Sequence, residues 1–146
     1  MVNNTIVSRF RGELPQGDDD RSILGGPLYP REELLALLES VEEKQISLWS
    51  RKCIADAAKL ELEPLDIAAL ISKALTGGKF LKSEWCTSKP DGPWAACDAY
   101  AVECLEWSEY ARRELPCRYY VKFCIATTGK VMIVASCHLE DIRRAK

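Results

Sequence analysis

The chain has 146 residues, 47% of them hydrophobic and 29% charged, a composition typical of one globular domain. Charged residues interrupt every apolar stretch before it reaches the roughly 18–20 residues of a membrane span. The N-terminus lacks a signal-peptide pattern. We therefore expect a cytoplasmic protein without a membrane partner. The 20 basic and 22 acidic residues give a net charge of −2, which argues against non-specific nucleic-acid binding, although residues 79–146 hold 11 basic and 9 acidic residues, a local +2.

Residues 1–29 form a separate stretch in the sequence. Turn and linker chemistry dominates it, with the run Pro15–Asp20 and the group Gly25-Gly26-Pro27. We therefore expect a loosely packed N-terminal arm or extension, followed by a single domain over residues 30–146.

Three helices are predicted next. Pro30 suits the first turn of a helix whose leucines recur at three- and four-residue steps. A short extended piece over 45–49 follows, and Ser50 is a cap for the second helix. Pro64 begins the third helix, which we expect Gly77 and Gly78 to end by accepting a left-handed cap.

After the third helix the hydrophobic period changes to two. Strands are predicted at 79–86, 94–102, 118–127 and 131–138, while 103–116 reads as a helical turn or a wide loop. These elements predict an α+β two-layer sandwich of about three N-terminal helices on a three- or four-stranded antiparallel sheet. The helices would cover one face of the sheet and leave the other open.

Alternation along the strands assigns side chains to these faces. Tyr119, Val121, Phe123 and Ile125 form the buried set, so Arg118, Tyr120, Lys122 and Cys124 share the open side. A three-residue loop before the last strand would pair Tyr120 with His138, whereas a two- or four-residue loop would turn His138 to the buried side. Strict alternation places Met132, Val134, Ser136 and His138 on one side.

The seven cysteines are odd in number and show no CxxC spacing. We interpret them as reduced thiols, mostly small buried hydrophobes, because no close ligand pair supports a zinc site. Cys137 and His138 are adjacent and would point to opposite faces of a strand.

From residue 31 to 138 the chain resembles the MqsR family of type II toxins, small endoribonucleases with a RelE-like fold. The order and spacing of several segments carry this resemblance, namely Leu60–Leu65 with Ala74-Leu75, Phe80-Leu81-Lys82-Ser83, Trp94 with Asp98-Ala99-Tyr100, Tyr119-Tyr120-Val121-Lys122, and Ile133-Val134 with Ser136-Cys137-His138.

The resemblance implies metal-independent RNA cleavage without a cofactor, and a cognate antitoxin as protein partner. Lys82, Tyr120 and His138 would perform acid–base catalysis. The substrate-binding residues would be Lys122 and Arg118 on phosphates, and Trp94 or Tyr100 stacked on a base. Two residues depart from the family pattern: His138 replaces a lysine, and Ala95 replaces a glutamine.

Two other functions compete with the nuclease. A non-catalytic interaction module would bind a protein through Trp85, Trp94 and Trp107, and it would be favoured if Trp85 and Trp107 formed one exposed patch. A thiol or metal enzyme would use Cys124, Cys137 and His138, which requires an exposed thiolate beside a base.

Overall fold

The computed structural model describes residues 4–16 and 20–140. Its helices are α1 (Arg31–Glu39), α2 (Arg51–Lys59) and α3 (Pro64–Gly77), with a short 3₁₀ turn at Glu43–Gln45. Its strands are β1 (Ser22–Ile23), β2 (Ile46–Leu48), β3 (Lys79–Thr87), β4 (Trp94–Ser108), β5 (Arg113–Ile125) and β6 (Met132–Leu139).

Local signals set the ends of the helices. The Ser50 hydroxyl accepts a hydrogen bond from the Cys53 amide at 3.0 Å, and Pro64 opens α3, both as predicted. The predicted left-handed cap is wrong, because Gly78 has a φ of −95°. A Cβ atom on Gly78 would lie 2.5 Å from the Ala101 carbonyl oxygen, so glycine is needed there for the close approach of α3 to β4.

The six strands form one mixed sheet in the order β1-β3-β4-β5-β6-β2. Strand β2 runs parallel to β6, and every other pair is antiparallel. The expected sandwich of three N-terminal helices on a three- or four-stranded antiparallel sheet is therefore wrong. The extra strands at the two edges, β1 and β2, have two and three residues and are too short to show a period of two.

Strands β4 and β5 form a long hairpin. Their pairing continues to Ser108 and Arg113, so residues 103–117, which we call the ribbon, are extended rather than a helical turn or wide loop. Beyond the helices the ribbon leaves apolar side chains in solvent, and Leu105, Trp107 and Tyr110 are 67%, 59% and 100% exposed.

The helices pack against one face of the sheet, which we call the covered face. Ile67 and Ile71 of α3 lie in one core with Val121 and Phe123 of β5. The predicted buried set is confirmed, since Tyr119, Val121, Phe123 and Ile125 are at most 4% exposed. The alternate side chains of the same strands lie on the opposite side, the open face.

The N-terminal residues that the structure describes are part of the packed domain. The buried hydroxyl of Ser8 accepts a hydrogen bond from the Ala96 amide at 2.9 Å, and the Tyr29 hydroxyl donates one to the Ala96 carbonyl at 2.6 Å. The expectation of loose packing is wrong for these two residues. The boundary between residues 29 and 30 stays a prediction, and the predicted tail over 141–146 lies outside the described residues.

Candidate functional site

A bulge in β3 turns two charged side chains to the open face. The pairing with β4 shifts between Phe80 and Lys82, so Leu81 is an extra residue. Phe80 therefore stays on the covered face, where its ring contacts Tyr100 edge-on at 5.5 Å between centroids. Lys82 and Glu84 lie on the open face instead. Strict alternation would have placed Phe80 and Lys82 on the same side.

A second bulge, in β6, turns His138 to the open face. Lys122 pairs with Ser136 but Phe123 pairs with Val134, which leaves Ala135 as the extra residue. Val134 is fully buried, whereas Ser136 and His138 lie on the open face. The prediction that all four alternate residues share a side is therefore wrong. The predicted pairing of Tyr120 with His138 is confirmed, but the bulge rather than the loop produces it.

The central strand gives the open face a floor of small side chains. Lys82 and Lys122 pair with Ala99 from either side, and Ala101 pairs with Tyr120. Ala99 and Ala101 are 0% and 4% exposed, so the longer side chains of β3 and β5 lie above them. We call this strip the trough. Strands two apart are separated by roughly 10 Å, a gap that long side chains bridge only where the middle strand carries small ones.

Glu84 bridges the trough. One of its carboxylate oxygens lies 3.1 Å from the Lys82 ammonium, and the other accepts a hydrogen bond from the Lys122 ammonium at 2.6 Å. The Lys82 side chain is 53% exposed, whereas those of Glu84 and Lys122 are 18% and 15% exposed. The sequence reasoning missed Glu84, although its place two residues after Lys82 in an alternating strand was a signal for the same face.

This triad fixes the charge states of its members. Burial alone would raise the pKa of Glu84, but the hydrogen bond from Lys122 and the charge of Lys82 outweigh it, so that the pKa is lowered. The pKa of Lys82 is raised by its hydrogen bond with Glu84. Burial opposes the charge of Lys122, yet its pKa is raised, and the hydrogen bond and negative charge of Glu84 act in that direction. At neutral pH the triad therefore carries two ammonium groups and one carboxylate.

Tyr120 and His138 form a stacked pair next to this triad. Their ring centroids are 5.0 Å apart and their planes are inclined by 16°. The Nδ1 atom of His138 lies 3.2 Å from the Leu139 carbonyl oxygen, a contact that favours the tautomer with its proton on Nδ1, because a carbonyl can only accept. In the neutral ring Nε2 is then free to accept a proton. Burial raises the pKa of Tyr120, which keeps its phenol protonated.

Arg118 extends the open face along β5, two residues before Tyr120. Its guanidinium lies 2.9 Å from the Glu140 carboxylate, and both side chains are 35% exposed. The predicted open-side placement of Arg118, Tyr120 and Lys122 is confirmed by the strand pairing, but an open position is wrong for Cys124, which is fully buried. The structure thus places all three predicted catalytic residues and both predicted phosphate-binding residues on one face of the sheet.

The two predicted base-stacking residues lie on the other face. Tyr100 is 7% exposed and stacks on Phe123 with 5.7 Å between centroids, so burial under the helices excludes it from the site. Trp94 shares the side of Tyr100, and the Arg21 guanidinium lies 5.0 Å from the centre of its ring. Neither residue contacts the trough, because β4 presents only its small alternate side chains there.

Asp98 also lies on the covered face, where it anchors the segment that leads into α1. The carboxylate is fully buried and accepts hydrogen bonds from the Leu28 amide at 2.9 Å, the Tyr29 amide at 3.2 Å and the Ser83 hydroxyl at 2.6 Å. Burial raises its pKa even though these bonds act in the opposite direction. Its position behind the sheet separates it from any phosphate on the open face.

The thiols do not form a reactive site with His138. Cys137 is fully buried on the covered face, opposite to His138, and burial raises its pKa to about 12. Cys124 is also fully buried. Within residues 4–16 and 20–140, no group of three or more His, Cys, Asp or Glu side chains is placed to hold a metal ion. A nucleophilic thiolate needs exposure, which both cysteines lack.

Nothing matches this chain in comparisons with family models, curated proteins and solved structures. The family resemblance therefore stays a prediction. None of the helices that the structure describes has both the length and the apolar character required to cross a bilayer.

Proposed function

We propose that the protein is a metal-independent endoribonuclease, with the trough as the place where RNA is cleaved. The observation that carries this proposal is the convergence of an ammonium, a phenol and an imidazole on one open face, each from a different strand. Lys82 on β3 and His138 on β6 are three strands apart, roughly 14 Å between backbones, and Tyr120 on β5 lies between them.

The proposed reaction is attack by a 2′-hydroxyl on the adjacent phosphate. His138 Nε2 takes the proton of the hydroxyl while the bond from O2′ to phosphorus forms and the bond from phosphorus to O5′ breaks. The Lys82 ammonium, on the other side of the trough, gives a proton to the departing O5′. The products are a 2′,3′-cyclic phosphate and a 5′-hydroxyl, so atoms and protons balance without water or an external reactant.

The remaining groups stabilise the phosphate. The Tyr120 hydroxyl donates to a non-bridging oxygen, and its protonated state follows from the raised pKa. Lys122 holds Glu84, and Glu84 in turn positions Lys82, so these two residues act on the reaction through Lys82. Arg118 binds a neighbouring phosphate once it exchanges Glu140 for the substrate.

The test is RNA cleavage by the purified protein in EDTA. We expect 2′,3′-cyclic phosphate ends and no cleavage at a position that carries a 2′-deoxy sugar. His138→Ala should lower the rate by about 10²- to 10⁴-fold because the proton acceptor is lost. Thr127→Ala, an exposed change in the segment before the same strand, is the control and should leave the rate within about threefold. RNA left intact by the wild-type protein, free of any bound partner, contradicts the proposal.

The second part of the proposal is that a protein partner binds the ribbon. Leu105 and Trp107 are exposed side chains at alternate positions of β4, and Tyr110 at the tip is fully exposed. Exposed aromatic residues of this kind anchor protein interfaces. The partner implied by the family resemblance is a cognate antitoxin in the cytoplasm. The alternative patch of Trp85 with Trp107 is wrong, because Trp85 is 4% exposed. Trp107→Ser should weaken co-purification with the partner and leave RNA cleavage unchanged.

A further inference from the structure

A cavity of about 680 Å³ opens beside the trough, between the start of α2, the segment after β3, and strands β5 and β6. Its volume is in the range of small-ligand pockets. Lys122 and Ser136 line it and are paired with each other on the open face, where Lys122 also pairs with Ala99 of the trough. The cavity and the trough are therefore continuous through these two side chains.

The mouth of the cavity is basic. Arg51, Lys52 and Lys89 line it and are exposed, and no acidic side chain is among its lining residues. Lys52 pairs with Asp56 at 2.9 Å. Arg51 and Lys89 make no ion pair with any described residue. In a chain of net charge −2, this concentration of unpaired cations at a concave site favours an anionic ligand.

The wall supplies the other parts of a nucleotide site. The half-buried Trp49 lines the cavity, and so do Ser88 and Ser136, together with Ser50, whose hydroxyl is already bonded to the Cys53 amide and the Ala135 carbonyl. Aromatic rings stack on bases whatever their identity, while cations and hydroxyls bind phosphate and ribose. The combination is specific to a nucleotide, since a free phosphate would leave the ring without a partner.

We infer that this cavity binds the nucleotide next to the scissile phosphate, with its base against Trp49 and its phosphate between Arg51 and Lys89. The inference rests on the proposed nuclease function, because Lys122 and Ser136 lead from the trough into the cavity. A single RNA strand would then occupy both places at once. The cavity supplies binding, and the trough supplies the acid–base groups.

The test measures binding separately from cleavage. A short single-stranded RNA with every 2′-hydroxyl methylated cannot be cleaved by the proposed reaction, and its affinity is followed by fluorescence anisotropy at several salt concentrations. Arg51→Ala/Lys89→Ala should weaken binding by about tenfold at low salt, because the phosphate between them loses both cations. The slope of log affinity against log salt should fall by about 0.7, the contribution of one neutralised phosphate in a single strand.

The matched control is Lys59→Ala/Lys130→Ala, which removes the same charge from exposed positions at the other end of α2 and in the loop before β6. The inference is overturned if this control and Arg51→Ala/Lys89→Ala bind the methylated RNA with affinities that agree within threefold, even if the wild-type protein cleaves RNA. Binding that depends on Arg51 and Lys89 in a protein that cleaves no RNA supports the cavity and refutes the nuclease. A wild-type protein that neither binds the methylated strand nor cleaves RNA refutes both.

Discussion

Asp98 and Glu84 lie on neighbouring strands and face opposite sides of the sheet, and the protein treats these two carboxylates differently. Asp98 is fully buried under the helices, and its partners are neutral, two backbone amides and the Ser83 hydroxyl. Glu84 is partly buried on the open face between two ammonium groups. The pKa of Asp98 is raised and that of Glu84 is lowered, with burial acting to raise both.

The difference shows what each carboxylate does. Neutral donors satisfy the oxygens of Asp98 without compensating its charge, which suits an anchor that fixes Leu28 and Tyr29 to the sheet. Ammonium groups compensate the charge of Glu84, which suits a residue that positions cations at a solvent-accessible site. The covered face thus uses a carboxylate for stability, and the open face uses one to arrange charge.

The largest expected effect is on the covered face. Asp98→Ala removes the acceptor of three buried donors and leaves a cavity, so we expect a loss of about 3 kcal/mol in the free energy of unfolding. Ser83→Ala removes one of the donors and should cost about 1 kcal/mol. Urea unfolding of the two variants measures both values. Equal losses for the two variants would show that Asp98 does not anchor the N-terminal segment.

A smaller effect is expected from the open face. Glu84→Gln leaves the mostly buried ammonium of Lys122 without a counter-charge, and we expect a loss of about 1.5 kcal/mol because solvent still reaches the site. The same variant should lower the rate of RNA cleavage, since Lys82 loses its position. The double variant Glu84→Gln/Lys122→Met removes both charges and should recover part of the stability but not the rate. Full recovery of the rate would contradict the positioning role of Glu84.

The sequence predicted what depends on local signals. The Ser50 cap, the Pro64 start and the alternation along β5 each act within a few residues, and all three are confirmed. Strand β1 was not predicted, and the extended piece over 45–49 was predicted without its pairing to β6, since two or three residues form strands only because a neighbour offers free backbone groups. The fold class was wrong for this reason.

The candidate site depends on features that alternation cannot show. The bulges at Leu81 and Ala135 reverse the face of every later residue in their strands. Phe80 and Val134, before the bulges, therefore lie on the covered face, and Lys82 and Ser136, after them, lie on the open face. The pairing of Tyr120 with His138 was predicted from loop length, yet Ile125 and Met132 near the loop are paired one residue out of that register. Tyr100 was misassigned because its side of β4 is set by the pairing with Val121 of β5, which the sequence pattern of β4 alone does not show.

The pH dependence of stability distinguishes the two carboxylates further, because their pKa values move in opposite directions on folding. A raised pKa means that the contribution of Asp98 is complete below the ordinary aspartate value of about 4 and is lost as pH rises through its folded value. A lowered pKa means that the contribution of Glu84 is complete above about 4.3 and is lost as pH falls. The stability difference between wild type and Asp98→Asn should therefore shrink above pH ~4, and that between wild type and Glu84→Gln should shrink below it. Urea unfolding at several pH values measures both stability differences. Two differences that change with pH in the same direction would contradict the assigned directions of the two pKa shifts.

The smallest effect is expected at the rim of the open face. Arg118 and Glu140 are each about one third exposed, so solvent screens their ion pair, and Glu140→Gln should change the free energy of unfolding by less than about 1 kcal/mol. Added salt should remove this difference while leaving most of the Glu84→Gln difference, because the Glu84 pair is largely inaccessible to ions. Urea unfolding of both variants at low and high sodium chloride makes the comparison. A Glu84→Gln effect that disappears with salt would mean that Glu84 and Lys122 form an ordinary surface pair, and the trough would then lack the fixed charges that hold Lys82 in place.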